Sequence, residues 1–137
     1  MQPRAIVPEN GVRTGRNRSG SAIATRTLVK LAGADGVDCV ETFAAAADHL
    51  YGVAMQGIAD GANGDVQIRG KALCVAGAAV SAGDLLQGTT AGKVILFAAS
   101  AGDTDTVVGQ AITAAAADGD VLEVELAGPS VSRQTED

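Results

Sequence analysis

Few side chains in these 137 residues could do chemistry, and their spacing decides which chemistry is open to them. His49, the one histidine, stands beside Asp48 in an alanine-rich segment. A nucleophile–histidine–acid relay would need a serine or cysteine brought to His49 by the fold, and no Gly-x-Ser-x-Gly elbow is present. Gly88-Thr89-Thr90-Ala91-Gly92-Lys93-Val94 has the outline of a phosphate loop. Its glycines are one residue too close, and Val94 stands where a magnesium-binding hydroxyl is needed. Asp103 and Asp105, with Asp118 and Asp120, sit at turns where they could gather around a hard cation. They lack the glycine and terminal glutamate of an EF-hand loop and read as solvated turn carboxylates. Cys39 and Cys74 come without a Cys-x-x-Cys pair, so a zinc site is not expected. Two buried, reduced thiols are the better reading, with a disulfide left open. No enzymatic activity, metal or cofactor is expected from these residues.

The elements that would have to position any site are strands. Ala22–Leu31 alternates in part and carries β-branched residues, and Asp65-Val66-Gln67-Ile68-Arg69 alternates cleanly. Residues 73–75, 93–97, 106–108 and 121–126 complete the set. Gly-Asp and Asn-Gly turn signals separate them, at 33–36, 61–65, 83–84, 102–103 and 119–120. Short strands at this spacing predict a mainly β chain, a small sandwich or barrel-like domain. Two alanine-rich stretches, Phe43–Leu50 and Ala111–Ala117, are read as short helical turns that only tertiary contacts could hold. The sequence also repeats. Tyr51-Gly52-Val53-Ala54 followed by Gly64-Asp65-Val66 is echoed by Val108-Gly109-Gln110-Ala111 followed by Gly119-Asp120-Val121. Each half would be a strand, an alanine-rich connection, a Gly-Asp turn and a second strand.

Residues 1–20 are expected to form an extended basic N-terminal arm, 21–127 the β-rich domain and 128–137 a flexible tail. Pro3, Pro8, Gly11, Gly15 and Gly20 punctuate the first stretch and no hydrophobic period is sustained there. Charge is segregated within a net −6. Residues 1–30 hold six basic residues against Glu9 alone, and residues 31–137 hold four basic against fifteen acidic. The first part should therefore attract the acidic part of a neighbouring molecule, or of its own. No aromatic or motif accompanies the basic residues, and the acidic body would repel phosphate, so direct nucleic-acid binding is not expected. No apolar run reaches 18 residues and no signal-peptide core follows Met1, so neither a membrane span nor secretion is expected. Two Phe, one Tyr and no Trp leave an aromatic-poor core that buries little area per residue. Help from self-association or a docking partner is expected.

Two resemblances follow from the order of these features. The segment Val75–Leu86, with its Gly83-Asp84-Leu85-Leu86 turn, is similar to the strand-turn-strand of biotinyl and lipoyl carrier domains. That reading requires a lysine at a hairpin tip; Lys93 is the downstream lysine and lacks the matching flank, while Lys71 lies upstream. A carrier domain, or another non-enzymatic β-domain oligomer, stands as the alternative. The stronger resemblance covers Arg26–Leu126. Thr27-Leu28-Val29-Lys30-Leu31, Tyr51-Gly52-Val53-Ala54, Gly64-Asp65-Val66-Gln67-Ile68-Arg69-Gly70-Lys71-Ala72 and Ala79-Val80-Ser81-Ala82-Gly83-Asp84-Leu85-Leu86 come in that order. Gly92-Lys93, Val108-Gly109-Gln110-Ala111 and Gly119–Leu126 follow. This succession resembles the small phage capsid decoration, or head cement, proteins.

The resemblance implies a structural virion protein with no catalytic residues. It would sit on the outer surface of the assembled capsid, bound to the major capsid protein, often as a homotrimer at local three-fold positions, and would stabilise the shell. The basic arm lies outside the family pattern. Its expected role is a clamp to the capsid or to the adjacent subunit, with Arg4, Arg13, Arg16 and Arg18 meeting acidic groups there.

Overall fold

A computed structural model of the chain describes residues 11–31, 39–44, 50–98 and 107–127. The first five strands are β1 (Val12–Asn17), β2 (Leu28–Leu31), β3 (Cys39–Thr42), β4 (Leu50–Ala54) and β5 (Asn63–Gln67). They close into a barrel in the order β1-β3-β2-β4-β5, with β1 parallel to β3 and antiparallel to β5. The next five are β6 (Gly70–Val75), β7 (Leu85–Thr89), β8 (Lys93–Leu96), β9 (Val107–Ala111) and β10 (Val121–Leu126). They form a second sheet in the order β6-β10-β9-β7-β8. The protein is mainly β, as the spacing of turns and alternating residues predicts. Period-two burial is clearest in β10, where Leu122, Val124 and Leu126 face inward and Val121 and Glu125 outward.

Two expectations need correction. Among the described residues the one helical element is a 3-10 turn at Thr90–Gly92, not the alanine-rich stretches. Ala111 ends β9, and Ala115 instead exchanges two backbone hydrogen bonds with Val80. Seven residues closed by the Gly119 turn are too few to sustain a helix, and the bridge to Val80 supplies the competing hydrogen bonds. Of Phe43–Leu50, residues 45–49 lie outside the described residues; Phe43 and Ala44 are not helical, and Leu50 opens β4.

The other correction concerns the arm assigned to 1–20. Its residues 12–17 are strand β1, which closes the barrel and pairs along its length with β5. Its inward positions are Gly15 and Asn17 rather than aliphatic residues. Gly15 is required there, because a Cβ would lie 2.9 Å from Val66 Cγ2. A strand that buries a glycine and an amide carries no hydrophobic alternation for a sequence reading to detect. Residues 1–10 and 128–137 lie outside the described residues.

The internal repeat extends through the whole structure. β1 to β5 correspond in order and pairing to β6 to β10. Val29 pairs with Gly52 and Lys30 with Leu50 across a bulge, and Leu86 pairs with Gly109 and Gln87 with Val107 across the same bulge. The Ile23–Ile58 bridge of the first half recurs as Val80–Ala115 in the second. Gly52 and Gly109 occupy the same place: a Cβ on either would overlap a carbonyl oxygen of the neighbouring strand, that of Gln67 or of Glu125. In the barrel, β1 and β3 pair over two residues. In the second sheet the corresponding contact shrinks to one parallel bridge, Ala76 to Val94.

The two halves share a core. One cluster, with Ile23, Val29, Val40, Tyr51 and Val66, fills the barrel. The other fills the second sheet with small residues (Ala72, Cys74, Ala76, Ala111 and Ala115) and recruits Leu28, Phe43, Leu50 and Val53 from the first half. Phe43 fits against Gly88, whose missing Cβ would overlap the ring. Gly92 N–H donates to the Phe43 carbonyl at 2.9 Å, tying the 3-10 turn to the chain just past β3. An aromatic ring from the first half thus completes a core that the second sheet lines with Leu86, Leu122, Leu126 and these small residues.

Candidate functional site

The residues singled out for contact with a partner do not form one cluster. Arg4 lies outside the described residues. Arg13, on β1, shares the parity of the inward-facing Gly15 and Asn17, and is half-buried. Its guanidinium stacks over the Tyr51 ring, 5.1 Å from the centroid, a cation–π contact at the rim of the barrel core. Tyr51 is itself buried, and its hydroxyl donates a long 3.4 Å hydrogen bond to the Thr14 carbonyl. Arg13 therefore holds β1 to β4. Arg16 and Arg18 are exposed, Arg16 on the outer face of β1 and Arg18 one residue beyond it. Among the described residues neither forms an ion pair, so both guanidinium groups are available to an acidic surface.

Asn17, buried at the end of β1, is a functional residue of the fold that sequence reasoning missed. Its Nδ2 donates to the carbonyls of Ser21 (2.8 Å) and Ile58 (2.9 Å), and its Oδ1 accepts from Ser19 N–H and Oγ. Its backbone N–H donates to Ala62 and its carbonyl accepts from Gly61. Every polar atom of the residue is used, so the amide can be buried without the penalty of an unpaired group. The bonds to Ser19 and Ser21 are local, but the burial that makes them matter comes from Ile58, 41 residues away, and gives no local sign.

The remaining candidates for chemistry are occupied in structural roles. Lys93 opens β8 and pairs with Asp118 at 2.8 Å, one residue beyond the Ala91-Gly92 tip, which is not how a carrier domain presents its lysine. Asp120 Oδ2 accepts from Ala116 and Ala117 N–H, and Asp84 Oδ2 from Ser81 N–H, both within turns. His49, Asp103 and Asp105 lie outside the described residues. Cys39 and Cys74 are buried in different halves and form no disulfide. Burial pushes the Cys74 thiol up to about 12. Among the described residues no group of three metal-binding side chains gathers. A crevice of 210 Å³ runs between the halves, lined among others by Arg26, Met55, Gln67, Lys71 and Leu73. It holds no nucleophile with an adjacent base.

What the geometry offers is therefore surface. Leu31, Leu85, Leu96, Met55, Leu73 and Val121 are each about half exposed. Leu85 and Leu96 lie on the neighbouring strands β7 and β8, and Met55 and Leu73 share the crevice.

Comparison with known proteins finds a family and a fold. A family model described as phage cement protein matches residues 8–126. The chain is also similar to a solved structure, the head fiber gp8.5 N base of bacteriophage phi29, with a TM-score of 0.67 and 19% identity. The likeness covers 89% of this chain and 98% of that one, and at this identity it speaks for the fold. No curated protein matches the chain by sequence.

Proposed function

The chain belongs to the phage cement protein family, and from that premise we propose that it binds the outer surface of the assembled capsid and stabilises it, as a homotrimer at local three-fold positions. As a member of that family it is a capsid-associated structural protein of a phage virion. The finer reading adds the major capsid protein as its partner, and the match across residues 8–126 is the observation that carries it. Two features support it. Exposed Arg16 and Arg18, in no ion pair among the described residues, offer charge to acidic groups of a shell or a neighbour, and the half-exposed leucines offer apolar area. Many modest contacts repeated over a lattice give large avidity without any one tight joint. The role is mechanical rather than catalytic.

The clamp is proposed for residues 1–10 with Arg4, assisted by the exposed Arg16 and Arg18, while Arg13 is held over Tyr51; residues 11–127 form the folded body and 128–137 a tail. Co-sedimentation of the purified chain with expanded, empty capsids tests the reading, with copies per capsid counted by quantitative mass spectrometry. Saturation at a whole-number ratio to the shell subunits is expected. Absence of binding by the soluble, folded chain overturns it. Stabilisation has its own test: particles lacking the protein should lose their DNA at lower temperature and on milder osmotic shock than complete particles. Equal survival removes that part of the proposal.

A further inference from the structure

The repeat makes one half of the molecule a template for the other. In the barrel, Leu28 and Phe43 are fully buried because the second sheet covers them. Phe43 enters the second sheet at Gly88, which faces inward opposite Val94. Their counterparts in the second half follow from the shared pairing. Phe43 N–H donates to the Leu28 carbonyl, and Phe97 N–H donates to the Leu85 carbonyl. Leu85 is 50% exposed where Leu28 is 0%. Phe97 is half-buried, and its neighbour Leu96 is 51% exposed. The second half thus carries the same apolar plug as the first, left exposed among the described residues.

The receiving position has a counterpart too. Leu31 pairs with Val40 as Gly88 pairs with Val94. It has the inward parity of Val29 yet is 52% exposed, at the barrel end that matches the plugged end of the second sheet. Among the described residues each chain therefore shows one unmatched plug, Phe97 with Leu85, and one unmatched socket, Leu31.

We infer that the Phe97–Leu85 face of one copy docks on the Leu31 end of the barrel of the next copy, a head-to-tail joint patterned on the Phe43–Gly88 joint within the chain. A leucine at the socket, where the internal joint has a glycine, sets Phe97 over Leu31 rather than beneath it. Charge favours the same partner. With Glu123 paired to Lys71 and Asp118 to Lys93, the second half still carries Asp84, Asp120 and Glu125, and the barrel carries Arg16, Arg18 and Arg26 against Asp60 and Asp65 on exposed positions. A joint between unlike faces closes into a cyclic ring when its rotation allows. This identifies the self-contact within the proposed function and rests on that reading for its trimeric closure.

Phe97 exchanged for the photoreactive p-benzoylphenylalanine keeps an aromatic ring at the plug and reports what it touches. The full-length chain is irradiated free and on saturated capsids, and adducts are mapped by mass spectrometry. Adducts to the peptide holding Leu28–Leu31 of another chain are expected, in species of two and three chains. Adducts confined to the capsid protein, or no interchain adduct in either setting, overturn the inference. Leu31→Asp and Leu85→Asp serve as the second measurement: each should remove the oligomer in sedimentation velocity while leaving the thermal melt of the monomer unchanged. An oligomer that survives both substitutions overturns the joint. Retained capsid binding without the adduct refutes this joint alone, whereas no capsid binding by the wild-type chain refutes the parent reading.

Discussion

Gly88 and Phe43 form a lock that one methyl group can spoil. A Cβ at Gly88 would overlap the ring, which is already fully buried. Gly88→Ala should destabilise the chain by about 1–3 kcal/mol, read as a lower urea midpoint at unchanged slope. Adding Phe43→Leu should return part of that loss, because the two sites share one space. Asn17 makes a second residue-scale case. Asn17→Leu leaves the carbonyls of Ser21 and Ile58 without their donor and should cost about 1–3 kcal/mol by the same measurement. At Cys74 the sign follows from burial. The folded thiol titrates near 12 against 9.0 when exposed, so between these values the unfolded chain holds fewer protons. Stability is then unaffected below about pH 9 and falls as pH rises from there toward 12. At pH 8 an alkylating reagent should modify Cys74 only as fast as the chain unfolds; rapid labelling of the native protein contradicts this. None of these roles was legible in the sequence. Gly88 stood there as part of a loop outline, and its meaning depends on a ring 45 positions earlier. The turn aspartates were legible, since Asp84 and Asp120 bind backbone within three or four residues.

At the scale of elements, what could be read depended on whether a strand advertises its inward face. β10 does so, with aliphatic residues at every second position, and β5 does in part, with Val66 inward beside Gly64 and Ile68 just beyond its end; their place in a β-rich chain followed from the sequence. β1 does not, and so residues 12–17 read as arm. The alanine-rich segment 111–117 misled in the other direction, because alanine suits a helix by propensity and a tight bridge by size. The structure makes β1 a test. Removing residues 1–10 should leave the barrel folded and lower capsid occupancy, whereas removing 1–20 takes β1 away and exposes the β3 and β5 edges. The longer deletion should lose the cooperative melt of the barrel and expose Tyr51 to solvent by fluorescence. A folded barrel after removal of 1–20 would show that β1 is dispensable to closure.

For the whole molecule, two short echoes around Gly52 and Gly109 turned out to be traces of complete duplication. Most of it was invisible because paired positions differ in type: Tyr51 matches Val108, and Leu31 matches Gly88, so pairing preserves geometry rather than residues. Charge, by contrast, was readable from the outset, and it belongs to this scale. Arg16→Glu with Arg18→Glu should lower the affinity for capsids, and raising salt from 50 to 500 mM should weaken the wild type more than this variant. Equal salt dependence would detach these arginines from the contact. The ladder of β1 has a further consequence, in how the protein bears force. β1 is paired at five positions with β5 and at two with β3. A pull on the chain where it enters at Val12, directed along the strand, loads these hydrogen bonds side by side, in shear, instead of peeling them one at a time. Tension arriving from the N-terminal side is therefore spread across the barrel wall before any single bond must break.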